Sequence, residues 1–570
     1  MSDQLLSGNI SFAGLGSGTD FSALIDGLMK IEQRRVTKLE DWRKSWDDKI
    51  VQFRDLNTKL LSLKTSLEGM NTLGKFLAKD AVSSNEASFT ATAGAESSEG
   101  TYNIKVGSLA KNSIWTSNAL GSATTDIVND TNADLKGSLA FTIDGKTITT
   151  SISEGQNLND LAAAINANTD NRYTDTDGVS KQYVRASVVK TQSSPDQYVL
   201  QLSALDQGTK YAISGITPTD LDLTFPGAAT QVATNAQIEF NGLTITRSSN
   251  VIDDIVPGIT LNLKQVDTVG ATLTVNTDKE AIKENVRAFV DAVNEVRKKI
   301  SEISKVDATT NQGSILTGNY GVDMIGQNLK NIIASKGIGF DYDSNTYSAL
   351  PQIGIMTNAD EGSIESGLLT LDESKLDEAL AKDPEILASL FSAYYQGSSD
   401  SPNFSYASSL PGTTKAGTYE VAYTVADKNA SGTIGGYSAT WDSSTKQLTG
   451  AAGTPVAGLV INVTNLADGA YTGNVSLLLG KTNELIDELK VLTDPKSGPS
   501  DFEAGPLAVL EENYRDIIAS IDKKIEYEEK RITRLTRQYK DRFARLDAML
   551  SYYNSVSAGM QSQIIGMMKE

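Results

Sequence analysis

Acid–base and nucleophilic chemistry near neutral pH usually begins with histidine or cysteine, and this chain contains neither. Imidazole general bases, thiol nucleophiles, disulfides and Cys/His zinc sites are therefore excluded. Carboxylates, hydroxyls, lysines and glycine loops remain. Gly14-Leu-Gly-Ser-Gly18 has the outline of a phosphate-cradling turn. It reads G-x-G-x-G, however, and no βαβ unit with an acidic partner follows, so a flexible linker accounts for it better. Asp175-Thr-Asp177-Gly178 carries part of a calcium-loop pattern. The third acidic ligand and the terminal glutamate are not at the required spacing, and a surface turn is the expected reading. Paired acids such as Asp253-Asp254 and Glu511-Glu512 suit glycoside hydrolysis only if they face a sugar across a cleft. In so acidic a chain a solvated face is the default. No Ser–Lys or carboxylate constellation emerges, so no catalytic residue, metal ligand or cofactor is nominated, and the chain is read as a non-enzyme.

With no reacting group to position, the dominant pattern is mechanical. Nothing between Pro506 and Gly559 breaks a helix. Ile518, Ile525, Ile532, Tyr539, Leu546 and Tyr553 recur every seven residues; Ile521, Leu535, Met549 and Val556 form a second row, interrupted by Glu528 and Arg542. A repeat of seven held this long reads as one strand of a coiled coil. One such stripe cannot bury itself. The matching stripe lies at the other end of the chain: Leu39, Trp46, Phe53, Leu60 and Leu67 in one row, Trp42, Leu56, Leu63 and Met70 in the other, with Lys49 the polar exception. The seam is expected to join these two ends side by side, with Leu39, Trp42, Trp46, Phe53, Leu56 and Leu60 meeting Ile518, Ile521, Ile525, Ile532, Leu535 and Leu546.

The totals bound the rest. The length of 570 residues allows about three to five domains. No run approaches the roughly 18 consecutive apolar residues of a membrane helix, so no membrane insertion is expected. The net charge of -20 is uneven, with a modest excess of Lys and Arg in the helical ends and the acid in the middle. That balance argues against a nucleic-acid partner, which needs an accessible basic surface. Met1 to Gly18 has no basic n-region and no apolar h-region, so no Sec-type signal is visible.

Taken in order, residues 1–18 are polar and glycine-rich, and a helix is expected to start near Thr19 or Asp20 and end near Gly69 to Gly74. From Val82 the period changes to two. Asp144-Gly145 and Asn241-Gly242, each between alternating segments, predict tight hairpins, because both turn residues tolerate positive φ. Leu158, Leu161 and Ile165 mark a short helix. The helical period returns at Asp278, an expected N-cap, with Ile282, Val286, Phe289, Val293, Val296, Ile300 and Ile303 in register. Shorter helices are expected near 322–334, 372–395 and 482–492. The expected fold class is α+β and multidomain: a long antiparallel coiled-coil stalk built from both chain ends, with mainly-β domains inserted. The expected segments are a mobile N-terminal leg (1–40), stalk (41–80), inserted β domains (81–277), central stalk helices (278–395), a small β module (396–479), the C-terminal coiled coil (480–540) and a mobile C-terminal leg (541–570).

Phe12-Ala-Gly-Leu-Gly-Ser-Gly-Thr-Asp-Phe21, followed by Leu24-Ile-Asp-Gly-Leu-Met29 and Glu32, resembles the N-terminal signature of the flagellar filament-capping, hook-associated protein family. Asn241 to Asn250, Ile252 to Leu263, Phe289-Val-Asp-Ala-Val-Asn294, Ile353-Gly-Ile355, Gly367 to Glu373 with Phe391, and Arg542 to Gln563 are similar to its later motifs. Residues 139–170 resemble the insert shared by flagellins and hook-associated proteins. Members often carry a proline shortly after the glutamate of the first signature; here Arg34-Arg35 stand there. The block at 396–479 is larger than the family leads one to expect. The resemblance implies an extracellular cap at the filament tip, a homo-oligomeric ring that promotes flagellin folding and polymerisation and prevents flagellin loss. It implies flagellin, an export chaperone and the type III export apparatus as partners. The leg tips Phe21, Leu24, Ile25, Leu28, Ile564 and Ile565 are the expected flagellin contacts. The alternative function is a surface adhesin whose β domains bind host glycan or mucin.

Overall fold

The computed structural model describes residues 21–129, 136–306, 310, 312–360, 363, 365–494 and 505–568. The Gly14–Gly18 loop and the expected helix start at Thr19 or Asp20 lie outside the described residues. The chain forms two compact units, one of Thr72–Glu284 and one of Met1–Asn71 with Asn285–Glu570.

The inner unit is built on an eight-stranded antiparallel sheet. Its order is Leu243–Arg247, Ala236–Phe240, Gly100–Ser108, Asp267–Thr277, Lys79–Ser83, Phe89–Ala93, Ile259–Leu263 and Val251–Ile252. Alternation buries Ile104 and Val106, Ile238, Leu261, and Leu273 and Val275 on one face with Phe89. A second core gathers between the hairpin Lys136–Ile143/Lys146–Ser153, the pair Val184–Ser193/Asp196–Ala204 and the helix Leu158–Ala167. The helix begins with a capping box: the Asn157 side chain accepts from Asn159 N and Asp160 N, while Asp160 accepts from Asn157 N. Both expected hairpins close with two residues at positive φ. Asp144 and Gly145 stand at 51° and 74°, and Asn241 and Gly242 at 48° and 86°, as a type I′ turn requires. Between Val251 and Thr277 the chain makes three strands.

The outer unit is dominated by two helices, Ser22–Glu68 and Pro506–Met567, which pack antiparallel. Arg54 pairs with Glu511 at 2.7 Å and Arg43 with Asp522 at 2.6 Å; farther along, Arg531 pairs with Glu32 and Phe21 stacks on Phe543 at 5.2 Å. As numbers fall along one helix they rise along the other, so a single register holds from Phe21 to Arg54. Trp46 and Phe53 both meet the Tyr514 ring edge-on, at 4.9 and 5.3 Å. The N-terminal helix passes through Arg34-Arg35 without interruption. Lys279–Ser304 is the third long helix, and the Asp278 carboxylate accepts from Ala281 N at its start. Lys299, buried on it, binds Asp55 at 2.6 Å and Gln52 at 2.9 Å on the N-terminal helix.

Between Tyr394 and Leu479 lies a second eight-stranded antiparallel sheet. Its order is Tyr394–Ser399, Gly469–Leu479, Gly417–Ala426, Asn429–Ile434, Tyr437–Asp442, Gln447–Gly450, Val460–Val463 and Phe404–Ser408. The sheet curls until its end strands approach. Ser399 Oγ donates to Phe404 O, and the Tyr406 ring lies so close to Gly397 that a Cβ there would stand 2.4 Å from it. The concave side holds Phe404, Val421, Tyr423, Ile434, Leu448, Ile461 and Val475.

The sheet, the short helices and the helix pair converge on Gly480 to Glu484, at the start of the helix Lys481–Thr493. Phe391 O comes so near Gly480 that any Cβ would sit 2.3 Å from it, so only glycine fits. Lys481 is 0% exposed. Its ammonium donates to Ile332 O at 2.6 Å, Ser335 Oγ and Lys336 O at 3.0 Å, and Glu484 Oε2 at 2.8 Å. It thereby neutralises the C-terminal carbonyls of the helix Tyr320–Ala334, where the macrodipole favours a cation. Asn483 Nδ2 donates to Asn71 O, Ser392 O and Ala393 O. Burial pushes the Lys481 ammonium down and the Glu484 carboxyl up, against their mutual attraction.

Two outcomes follow from these contacts. Asn483→Ala should cost about 2–3 kcal/mol, because buried carbonyls lose their donor. Lys481→Met should cost about 3 kcal/mol, and more than Glu484→Gln, because the lysine serves three further acceptors. Urea unfolding followed by circular dichroism checks both; equal costs for Lys481→Met and Glu484→Gln would reduce the site to a simple ion pair. The helix pair should also loosen in acid. The hydrogen bond from Arg531 holds the Glu32 carboxyl below its ordinary value of 4.5. Burial raises the Glu511 carboxyl, but hydrogen bonds from Arg54 and Arg515 overcome it and the net shift is downward. A carboxyl lowered on folding contributes stability above its unfolded pKa and loses it as pH falls through the folded one. The opening free energies of the two helices, from hydrogen exchange corrected for the intrinsic rate at each pH, should therefore stay constant at neutral pH and fall below about pH 4.5. Arg531→Met should blunt that dependence around Glu32; an unchanged profile would sink the assignment.

Candidate functional site

No cluster of acidic side chains able to hold a metal ion occurs among the described residues. Asp175, the head of the partial calcium-loop pattern, turns its carboxylate inward to accept from Asp177 N and Val179 N, and Lys181 supplies the cation at 2.8 Å. Those hydrogen bonds, from Lys181 first, hold the Asp175 carboxyl below the usual range. Asp254 is paired with Arg247 at 2.9 Å, and Glu511 with Arg54 and Arg515. These acids are committed to stabilising turns and helices.

The helix pair leaves apolar side chains uncovered. Along the pair, Phe53, Leu56 and Leu60 are buried from one side, Ile518 and Ile521 from the other, and Leu39, Trp46, Ile525, Ile532 and Leu535 are half-buried. Trp42 is 43% exposed and lies beside the seam, with Lys524 Nζ 5.3 Å above its ring. The neighbours explain this correction. Toward its C-terminal end the helix is also approached by Lys279–Ser304, and Leu56, Leu60, Leu63 and Leu67 are buried there. Toward its N-terminal end it faces the C-terminal helix with Ile25, Met29, Val36 and Ile50. The second row is thus one residue out of phase with the row of Trp42 and Lys49. Lys49 itself sits over the Trp46 ring at 4.1 Å, which accommodates the polar exception as a cation–π contact. Glu528, the break in the other row, accepts from Arg531, which also binds Glu32.

The expected leg-tip residues divide in the same way. Phe21 stacks on Phe543, and Ile25 is 8% exposed, so these two face the chain's own C-terminal helix and offer no free contact. Leu28 is half-buried. Leu24 is 52% exposed, and Ile564 and Ile565 are 48% and 56% exposed. The C-terminal helix runs on beyond Phe543 for roughly 36 Å at 1.5 Å per residue. Along that length the heptad rows continue as Leu546, Met549, Tyr553, Val556 and Met560, all exposed. Leu546, expected in the seam, therefore belongs to this open stretch. The sequence rows contain the signal, but they do not show where burial by the partner helix stops.

Exposed apolar residues in continuous heptad register form a surface for another helix. Tyr and Met supply rigid amphipathic rings and adaptable thioethers, both suited to contacts made and remade. The arrangement can bind helices by burial.

Residues 233–555 match the family model of the flagellar hook-associated protein 2 C-terminus, and residues 17–113 match that of its N-terminus. The B-type flagellar hook-associated protein 2 of Pseudomonas aeruginosa is 27% identical over 393 residues, covering 66% of this chain and 79% of the relative. The flagellar hook-associated protein 2 of Escherichia coli K12 is 27% identical over 395 residues, covering 66% and 78%. Among solved structures, the flagellar cap protein FliD D1-D2-D3 domains from Escherichia coli match 60% of this chain and 90% of that chain, at 27% identity and a TM-score of 0.48. The C-terminal match alone takes in the Asn241-Gly242 hairpin, the buried Lys481 and most of the C-terminal helix, and with more than half its length so matched this chain belongs to the flagellar hook-associated protein 2 family.

Proposed function

We propose that this chain is the structural cap at the distal end of a bacterial flagellar filament, outside the cell, where it helps flagellin fold into the growing end and prevents its loss. The reading rests on family membership, and the open heptad rows from Leu546 to Met560 carry it in structural terms. A cap must hold arriving subunits without locking them. A helix with an exposed Met- and Tyr-rich stripe meets that need, because association through such surfaces is driven by apolar burial and repacks at little cost. The free end of the helix pair, where the C-terminal helix runs on beyond Phe543, acts as a leg reaching toward flagellin, with Leu24, Ile564 and Ile565 as contacts. Copies of the chain join into a ring. An export chaperone covers the C-terminal stripe before the chain leaves through the type III export apparatus, since an uncovered stripe invites aggregation.

The experiment is electron microscopy of matched flagellin filaments grown with the purified full-length protein. Plates at one end, with faster growth or less monomer loss, are expected; bare ends with a folded protein and matched flagellin would refute the cap. Leu24→Asp and Ile565→Asp should abolish end binding with thermal melting unchanged. Ile25→Asp should also lower helix-pair stability, by about 3 kcal/mol, because it places a charge inside the seam. If Leu24→Asp and Ile565→Asp still cap filaments, the contact assignment fails.

A further inference from the structure

Arg297 has no carboxylate partner among the described residues. It lies on the helix Lys279–Ser304, where Nη1 donates to Gly367 O at 2.8 Å and to Thr357 Oγ1 at 3.3 Å. Its Nη2 is covered and has no hydrogen-bond partner, and no carboxylate among the described residues pairs with the guanidinium. Burial accordingly holds its pKa below the ordinary range. Three other buried or half-buried cations of the same unit do have carboxylates: Lys299 has Asp55, Lys481 has Glu484 and Arg531 has Glu32 and Glu528.

Arg297 lines a cavity of about 420 Å³. Ile300, Leu329 and Leu368 supply apolar wall, and Lys330 stands exposed at the rim. The one carboxylate of the lining among the described residues, Glu302, is drawn to Lys299 at 3.6 Å. A partly desolvated cation in such a cavity attracts an anion more strongly than it would in water. The apolar wall adds a second requirement. A bare inorganic anion gains nothing from Ile300 and Leu329, whereas an Asp or Glu side chain lays its methylenes there and extends its carboxylate to the guanidinium.

We propose that this cavity is the socket for a carboxylate side chain of a second copy of this chain. The inference rests on the ring proposed above and names one of its contacts. Charge complementarity selects the occupant: the chain carries 71 acidic against 51 basic residues, so a neighbouring copy presents carboxylates in excess. A ring needs two different patches on each protomer, one giving and one receiving, and a cationic socket is a receiving patch.

Sedimentation velocity of the full-length chain tests this, alongside the filament-end assay and thermal melting. Wild type should assemble. Arg297→Gln and Lys330→Glu should each weaken self-association by at least about tenfold. High salt should weaken the wild type more than either variant, and the variant monomers should melt no lower than wild type. A variant that melts lower and still assembles would show Arg297 to be merely structural and overturn the socket. If both variants assemble like wild type, the socket fails while the ring stands. If wild type does not self-associate, both fail. Inorganic phosphate that raises the melting temperature of wild type, but not of Arg297→Gln, without altering assembly would assign the cavity to a free anion and overturn the second-copy occupant.

Discussion

A long helix with one apolar stripe needs a partner along most of its length. Pro506–Met567 finds it in Ser22–Glu68, some hundreds of residues away along the chain. That pairing constrains everything between. Each intervening segment is an excursion that must return to the same bundle, which is why the chain nests β sheets inside helices. The ion pairs along the seam are surface pairs worth roughly 0–1 kcal/mol each, so they set register more than strength. Strength comes from Phe53, Leu56, Ile518 and Ile521, fully or nearly fully withdrawn from water.

The excursions are tied together at a polar point. Lys481 and Asn483 bind five backbone carbonyls of three separate segments, at Asn71, at Ile332 and Lys336, and at Ser392 and Ala393. An apolar contact could slide there. Hydrogen bonds with directional demands cannot, and a buried group left without its partner is costly. The site trades stability for a fixed arrangement of the short helices on the seam. Arg297 shows the opposite condition within the same unit, a cation with its position fixed and no carboxylate paired with it among the described residues.

Much of the architecture was legible because each signal had a short physical range. Asn241-Gly242 predicts a turn from its own φ preferences, and Asp278 predicts a cap from one hydrogen bond. The period of seven gave both long helices and their pairing. Trp42 was misplaced because counting by sevens cannot register that the neighbour of the helix changes partway along it. Leu546 was misplaced because a heptad looks the same with and without a partner. Ile25 and Phe21 were read as free contacts on a resemblance, yet they face Phe543 and its helix. Lys481, Asn483 and Arg297 carried no signal in the sequence. A lysine inside a polar stretch reads as surface, and only the fold shows what closes over it.

Phe21 and Phe543 touch although nearly the whole chain lies between them. The contact order of the outer unit is correspondingly high, and closing so large a loop slows folding. While the chain is being synthesised, the N-terminal stripe has no mate until the last helix emerges. A nascent or newly released chain therefore stays extended longer than one whose contacts are local. The contact that locks the two long helices is thus also the last one the chain can make.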